Sequence, residues 1–278
     1  MNLRSARLAC ARLACAHVAC AHVACACLLG GSTSAQSLRV DLALVLAVDV
    51  SYSMEVEEQR LQRQGYVAAF LNPALIRAIE DGPLGRIAVT YVEWGGSAVQ
   101  VTPWTLIDGR DAAAQFAQAL RRQPNRRIAF TSISNTLNFS RRLFELTSYQ
   151  PSRRVIDISG DGPNNSGVPA PVARNSTVAR GIVIDGLPIM PSVHPDTASI
   201  PDLDVYYREC VIGGEGAFLV KVTDASQFAE AILKKLVTEI SGPHMSGFEP
   251  AEQPQPVQYG AGYNCFIGEE MQERMIGR

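Results

Sequence analysis

The chain has 278 residues, of which 47% are hydrophobic and 19% charged, and its formal net charge is −2. These values are those of an ordinary globular protein, and the length suits one large domain or two small ones. The slightly acidic balance lacks the basic character that nucleic-acid binding requires, so the composition excludes that class of function.

The first 35 residues have the pattern of a secretory signal peptide. Arg4, Arg7 and Arg12 give a basic start without any acid, a small and apolar run follows, and the sequence TSA ending at Ala35 is a small-x-small cleavage pattern. We therefore predict cleavage after Ala35 and a periplasmic or secreted protein. The repeated units ARLAC and AHVAC in this leader leave two alternatives open, which are a lipoprotein signal acylated at a cysteine such as Cys20 and a metal-binding Cys/His tract.

Removal of the leader changes the cysteine count. Five of the seven cysteines lie in the leader and would leave with it: Cys10, Cys15, Cys20, Cys25 and Cys27. Only Cys210 and Cys265 remain, and an even count in an oxidising compartment predicts one disulfide between them. No later stretch approaches the roughly eighteen apolar residues of a membrane span, so no membrane span is predicted.

Hydrophobic periodicity predicts alternating strands and helices. The predicted elements are, in chain order, a buried strand (40–50), helices (54–71 and 74–79), strands (86–94 and 99–104), helices (111–121 and 132–147), a strand (155–159), a helix (172–180), a strand (182–184), a helix (204–210), a strand (217–222) and a helix (225–240). Such alternation predicts an α/β fold with a doubly wound, mostly parallel sheet and helices on both faces. We expect one domain over residues 36–241. The Pro-, Gln- and Gly-rich residues 242–278 are expected to form a linker-like C-terminal extension.

Oxygen-bearing side chains follow two of the predicted strands, where ligands bind in sheets of this kind. Asp49, Ser51 and Ser53 come directly after the first strand at alternate positions. Thr131 precedes the helix that starts at residue 132, and Asp161 follows the strand that ends at residue 159. Carboxylates and hydroxyls are hard oxygen ligands of the type that Mg²⁺ or Mn²⁺ prefers. Helix capping by Asp49 and the serines is the alternative interpretation of the first segment.

This order of residues resembles the metal-ion-dependent adhesion site of von Willebrand factor A domains. The resemblance extends from about residue 40 to residue 240. More narrowly, the sequences TYVEWGG, DISGDGPNN, GLPI and YYRECVIGGEGAF resemble a bacterial family of exported A-like domains without an assigned function (DUF1194-like).

The resemblance implies a role for each of the five residues. Ser51, Ser53 and Thr131 would contact the metal directly, and Asp49 and Asp161 would act directly or through water. One coordination position would stay open for a carboxylate from a partner. A-domains usually place glycine before the threonine, whereas this chain has Ala129-Phe130 there, and glycine permits backbone angles that phenylalanine resists.

The function that this pattern favours is an exported, non-enzymatic binding module that uses a divalent cation to capture a protein partner with an exposed Asp or Glu. We expect Mg²⁺, with Mn²⁺ or Ca²⁺ as the other choices. A phosphatase-like hydrolase with Asp49 as nucleophile is a second hypothesis, but the second acid expected two residues later is replaced by Ser51. A metal-free structural relative is the third. Nearby, Glu93 is expected at a solvated strand end, and Asn164 and Asn165 are expected to form turns.

Overall fold

The computed structural model describes residues 37–190, 199–242 and 262–277. The predicted leader, residues 1–35, lies outside the described residues, and so does most of the first half of the predicted extension. None of the helices in the described ranges combines the length and apolar character that a bilayer crossing requires.

A five-stranded sheet in the order β3-β2-β1-β4-β5 forms the centre of the domain. The strands are β1 (Leu38–Asp49), β2 (Ile87–Trp94), β3 (Ala98–Ile107), β4 (Tyr149–Gly160) and β5 (Val183–Pro188). All neighbouring strands are parallel except the β2–β3 pair, which is an antiparallel hairpin. The mostly parallel sheet that the sequence predicts is therefore confirmed.

Strand β1 is central because its side chains are apolar on both faces. Leu42, Leu44 and Leu46 point into one hydrophobic cluster, and Ala43 and Val45 point into another on the opposite face. All five are fully buried. The sheet is thus covered on both sides, as a doubly wound fold requires.

The helices divide between the two faces of the sheet. The first cluster includes side chains of α1 (Val56–Phe70), α2 (Pro73–Glu80), α3 (Arg110–Arg121) and α7 (Phe228–Ser241). The second includes side chains of α4 (Ile133–Leu146), α5 (Ala170–Val178) and α6 (Leu203–Tyr206), which continues as a π-helical turn (Tyr207–Val211). A short 3₁₀ turn, Ala225–Gln227, precedes α7.

The prediction of a strand over residues 217–222 is wrong. This segment runs beside β5 and forms only isolated parallel bridges, which pair Gly186 with Leu219 and Ile189 with Val222. Backbone bonds are present on both sides of Pro188, since Val220 N donates to Gly186 O and Met190 N donates to Val222 O. Because proline has no N–H to donate, the hydrogen-bond ladder between β5 and this segment is interrupted at Pro188. A continuous strand would need a bond at that point.

The predicted disulfide is confirmed, whereas the linker-like character of the extension is wrong for its described part. Cys210 and Cys265 are joined, with their Cα atoms 5.6 Å apart. Residues 267–276 form a further helix, α8 (Ile267–Ile276). Its apolar residues Ile267 and Met271 pack against the second core cluster, so this part of the extension belongs to the folded domain.

Candidate metal centre

The candidate site lies at the carboxyl edge of the sheet, between its two middle strands. Strand β1 ends at Asp49, and β4 ends at Gly160, one residue before Asp161. The two strands pair in parallel, with Val48 beside Ser159, so both carboxylates lie at the same edge. From β1 the chain crosses to β2 on one side, while β4 lies on the other, and this reversal of strand order opens a crevice.

Hydrogen bonds connect four of the five predicted ligands in one chain. Asp49 Oδ1 accepts from the backbone N–H of Ser51 at 2.7 Å. The Ser51 and Ser53 hydroxyl oxygens lie 2.9 Å apart, where either can donate, and Ser53 Oγ donates to Asp161 Oδ1 at 2.7 Å. Ser53 and Asp161, 108 positions apart in the chain, therefore meet directly.

Asp49 is fully buried, and its second oxygen has no hydrogen-bond partner among the described residues. Burial and the nearby charge of Asp161 raise the pKa of Asp49 well above its usual value. Gly160 allows this close packing, because a Cβ atom there would lie 2.7 Å from Asp49 Oδ2 and 2.9 Å from the Tyr207 hydroxyl oxygen. The Tyr207 hydroxyl is itself buried without a partner in the described part of the chain.

Asp161 is also buried, with 8% of its surface exposed. Burial raises its pKa to about 6, although the hydrogen bond from Ser53 opposes the shift. Two carboxylates whose charged forms are both disfavoured thus face the same crevice, and a cation between them would relieve that cost.

Thr131 is held by its backbone against the loop that follows Asp161. Its N–H donates to Asn165 Oδ1 at 2.8 Å, and its carbonyl accepts from Asn165 N at 2.8 Å, which ties it to the loop that follows Asp161. Phe130 before it has φ of 66°, so phenylalanine adopts here the left-handed conformation that glycine adopts readily. Among the described residues, no hydrogen bond joins the Thr131 hydroxyl to the other four side chains. The assignment of Thr131 as a ligand therefore stays a prediction.

Two sets of polar residues near the site have roles that differ from the sequence expectation. Glu93 is not at a solvated strand end, because it is fully buried and accepts from Arg63 at 2.7 Å and from Arg126 at 3.0 Å. Arg63 also donates to the carbonyls of Gln123 and Pro124, which fixes the loop leading to Thr131. The two arginines lie 30 or more residues away from Glu93 in sequence, so no local pattern could reveal them.

The two asparagines after Asp161 act as connectors between loops. Asn164 is fully buried and accepts from Ser134 N with its side-chain oxygen, at 3.0 Å, while its amide nitrogen donates to Glu269 Oε1 on α8, at 2.8 Å. Asn165 holds Thr131, as described above. The loop that carries Asp161 is therefore bound both to the start of α4 and to the C-terminal helix.

The residues of the crevice fit a small divalent cation. The oxygen–oxygen distances of 2.9 and 2.7 Å are close to the separation of about 2.9 Å between adjacent ligands of an octahedral Mg²⁺ ion. Among the residues that the structure describes, Asp49 Oδ2 is a buried acceptor without a partner, and the two carboxylates match a charge of +2. The described part of the chain holds no group of three or more His, Cys, Asp and Glu side chains that could bind a metal, so hydroxyls must complete such a site.

A separate buried charge cluster lies away from this crevice, on the α7 face of the sheet. Lys235 is fully buried and forms ion pairs with Asp157, at 2.6 Å, and with Glu239. Asp185 lies beside Asp157 on the neighbouring strand and accepts from Phe218 N at 2.9 Å. Burial raises the pKa of Asp185 to about 6, and Lys235 opposes that shift.

Solved structures of similar fold share little sequence with this chain. Proximal thread matrix protein 1 of the mussel byssus is 14% identical, with a TM-score of 0.55 over 74% of this chain and 49% of that one. The pilus adhesin SpaC of Lactobacillus rhamnosus GG is 12% identical, with a TM-score of 0.53 over 73% of this chain and 31% of that one. A von Willebrand factor type A protein of Catenulispora acidiphila is 18% identical, with a TM-score of 0.49 over 72% of this chain and 43% of that one.

The chain thus spans about half the length of these structures or less. None of the curated proteins compared with the chain matches it. Residues 39–244 match the family described as "Protein of unknown function (DUF1194)", which is most of the chain. The chain therefore belongs to the DUF1194 family, and its fold is similar to that of the mussel byssus protein and of the pilus adhesin.

Proposed function

We propose that the chain is an exported binding module that captures an acidic group of a partner protein through a divalent cation held in the crevice. The observation that carries this proposal is the series of hydrogen bonds that runs from Asp49 through the backbone N–H and hydroxyl of Ser51 and the hydroxyl of Ser53 to Asp161. Caps alone account for the first segment, but they do not account for the meeting of Ser53 with Asp161 across 108 positions.

The charges of the ligand set favour an acidic partner. Asp49 and Asp161 supply two negative charges, and Ser51, Ser53 and Thr131 add neutral oxygens. A bound divalent cation would supply a positive centre that accepts one more oxygen. Because no third carboxylate joins the set within the described ranges, an anionic oxygen of a partner is the favoured last ligand. Hard oxygens of this kind favour Mg²⁺, with Mn²⁺ and Ca²⁺ as the alternatives.

The same proposal holds that the chain is not an enzyme. A phosphoryl-accepting aspartate of the phosphatase type would need an acid two residues later, and that residue is Ser51, which contacts Ser53 instead. Lys235 is bound to Asp157 and Glu239 in the separate buried cluster, and Lys221 pairs with Asp204. Neither lysine contacts the crevice residues, so both are unsuited to stabilise a transferred phosphoryl group there.

Replacing Asp49 tests the proposed function. We expect Asp49→Ala to lose Mg²⁺ and Mn²⁺ binding in titration calorimetry, and to lose partner capture, while the fold persists. The fold persists because the substitution removes one of two facing carboxylates whose repulsion costs stability in the metal-free protein. Partner capture by the unchanged protein should fail in EDTA.

Asp81→Ala is the matched control for this experiment. Asp81 is exposed at the end of α2, near the amino edge of the sheet, and its side chain makes no hydrogen bond in the described ranges. It should bind metal and partner as the unchanged chain does. Unaltered metal affinity in Asp49→Ala, or capture that ignores EDTA, would contradict the proposal. Asp49-dependent hydrolysis of para-nitrophenyl phosphate would replace it with the hydrolase hypothesis.

A further inference from the structure

Three exposed side chains lie next to proposed ligands in the chain, or contact a residue that does, and have no part in the ligand set itself. Tyr52 lies between the two serines in sequence, and Phe130 directly precedes Thr131. Tyr52 is 61% exposed and Phe130 53% exposed, and the exposed Arg127 completes the group. We call these three residues the rim.

Arg127 is held over the ring of Tyr52 at the edge of the site. Its Nη2 donates to the Tyr52 carbonyl at 2.7 Å, and its guanidinium carbon lies 5.1 Å from the centre of the tyrosine ring. This is the geometry of a cation–π contact. In the part of the chain that the structure describes, no carboxylate lies within salt-bridge distance of Arg127. A guanidinium has five N–H donors in a fixed plane, so most of them stay available for a carboxylate of a partner.

Phe130 combines two unfavourable features. Its left-handed backbone is sterically costly for any residue with a Cβ atom, and its ring exposes apolar surface to water. Neither feature is required by the fold, since glycine would hold the same turn without strain. Both features are explained if an apolar group of a partner covers the ring.

The rim rests on a rigid support. The buried Glu93 fixes Arg63 and Arg126, and Arg63 fixes the loop before Arg127. The next residue, Ile128, donates its N–H to Val50 O and lies beside Ser51. Binding to such a preorganised surface loses little conformational entropy.

The charge of the segment that carries Arg127 favours an acidic partner. Residues 121–127 contain four arginines and no acid. Of these, Arg126 pairs with Glu93, which Arg63 already neutralises. The segment beside the crevice is therefore positive, which complements an acidic surface.

We propose that the rim selects the partner segment: a peptide in which the metal-binding carboxylate is accompanied by a second acidic side chain, paired with Arg127, and by an aromatic or large apolar side chain, packed on Phe130. This inference rests on the proposed function and adds the chemistry of the partner to it. The exposed rings, the arginine that forms no ion pair among the described residues and the strained backbone are separate observations that lead to the same surface.

A displayed library of random peptides tests the inference, because such a selection does not require an identified partner. Peptides are captured on the exported chain in Mg²⁺ and released with EDTA, and the enriched residues are read by sequencing. The same selection is run on Arg127→Gln and Phe130→Gly. Matched controls are Arg77→Gln on α2 and Leu146→Gly at the end of α4, both exposed and near the amino edge of the sheet.

We expect the unchanged chain to enrich peptides with two acids and one large apolar residue. Arg127→Gln should lose enrichment of the second acid, and Phe130→Gly that of the apolar residue, while both keep the first acid and their Mg²⁺ affinity. The best peptide should bind each rim variant about tenfold more weakly, as the loss of one charge-assisted or packed contact implies. The controls should match the unchanged chain.

The possible failures separate the two proposals. Acid-containing pools that are the same for the unchanged chain and both rim variants would overturn the role of the rim and leave the proposed function intact. Pools without acids, or no EDTA-released peptides at all from the unchanged chain, would overturn both. Loss of Mg²⁺ affinity in Arg127→Gln or Phe130→Gly would also overturn the inference, because the rim would then be part of the metal site.

Discussion

Phe130 stands where A-domains usually place glycine, and its backbone takes the left-handed conformation, with φ of 66°. Phenylalanine in place of glycine therefore leaves the turn before Thr131 unchanged. The steric cost of its Cβ atom is stored as backbone strain. Since the ring is 53% exposed, little core packing offsets that cost. The stability of variants at position 130 therefore depends mainly on how readily each residue adopts this left-handed backbone conformation.

At position 130 we expect glycine to be more stabilising than alanine. Both Phe130→Gly and Phe130→Ala remove the ring, but only glycine adopts a positive φ without a steric penalty. At ordinary positions alanine is favoured by about 0.5–1 kcal/mol, whereas at φ of 66° we expect glycine to be favoured by about 1 kcal/mol. Urea denaturation of the two variants measures the difference, and alanine proving the more stable would contradict the strained backbone.

Residue patterns could predict which side chains meet at the edge of the sheet, but not the groups that support them. Asp49 and Asp161 were predictable because each directly follows a buried apolar strand, and parallel strands end at one edge. Glu93 looked like a solvated strand end, because its partners Arg63 and Arg126 lie on other elements. Only the tertiary structure shows that such a charge is buried and paired.

At the scale of elements, helix α8 is attached to the loop of the candidate site. Gly268 packs so closely that a Cβ atom there would overlap the Asn164 carbonyl oxygen. The neighbouring Glu269 accepts from the Asn164 amide, and the Cys210–Cys265 disulfide anchors the segment just before the helix. The disulfide thus restrains an element that contacts the loop after Asp161.

Removing the disulfide should destabilise the domain considerably. The bond joins residues 55 positions apart, and the chain-entropy model gives a stabilisation of about 4 kcal/mol as an upper figure for a loop of that length. We expect the double variant Cys210→Ser, Cys265→Ser to lose up to this amount in guanidinium denaturation. Guanidinium denaturation of the unchanged chain after reduction of its disulfide serves as a check. Equal stability with and without the bond would show that α8 docks independently of it.

Local periodicity predicted the elements well where each one carries its own pattern. The buried strand β1 and the helices of the domain follow from apolar spacing alone. Segment 217–222 was mistaken for a strand because its apolar residues suit one, while the interruption comes from Pro188 on the neighbouring strand. Helix α8 was missed because the Pro- and Gln-rich residues before it dominated the composition. The spacing of Ile267, Met271 and Met275 was the signal that could have found it.

On the scale of the whole molecule, buried carboxylates occur both at the crevice and in the cluster around Lys235. In that cluster Asp157, Asp185 and Glu239 surround a single lysine, and burial raises the pKa of each carboxyl group. Arg153 adds a positive charge nearby, while its guanidinium donates to the carbonyls of Glu239 and Ile240. The folded state therefore favours the protonated carboxyl groups more than the unfolded chain does.

Because the folded state holds these protons more tightly than the unfolded chain, we expect the free energy of unfolding of the domain to fall as the pH rises from about 4 to 6. For Asp185 the pKa is 3.8 in its ordinary state and about 6 in the folded protein. Between these values the folded state binds more protons, so the free energy of unfolding decreases with rising pH, by up to about 3 kcal/mol for this one group. Below pH 4 its contribution is fully present, and above pH 6 it is lost.

Asp185→Asn should flatten this dependence, because asparagine keeps the oxygen that accepts from Phe218 N but does not titrate. The measurement is urea denaturation at pH 4, 5, 6 and 7 with EDTA throughout, so that the crevice is metal-free in every sample. Asp81→Asn, at an exposed position, should retain the full slope of the unchanged chain. At pH 7 we expect Asp185→Asn to be the most stable of the three proteins. A slope that is the same in Asp185→Asn, or stability that rises with pH in the unchanged chain, would show that Lys235 outweighs burial at Asp185 and that its carboxyl group is already ionised below pH 4.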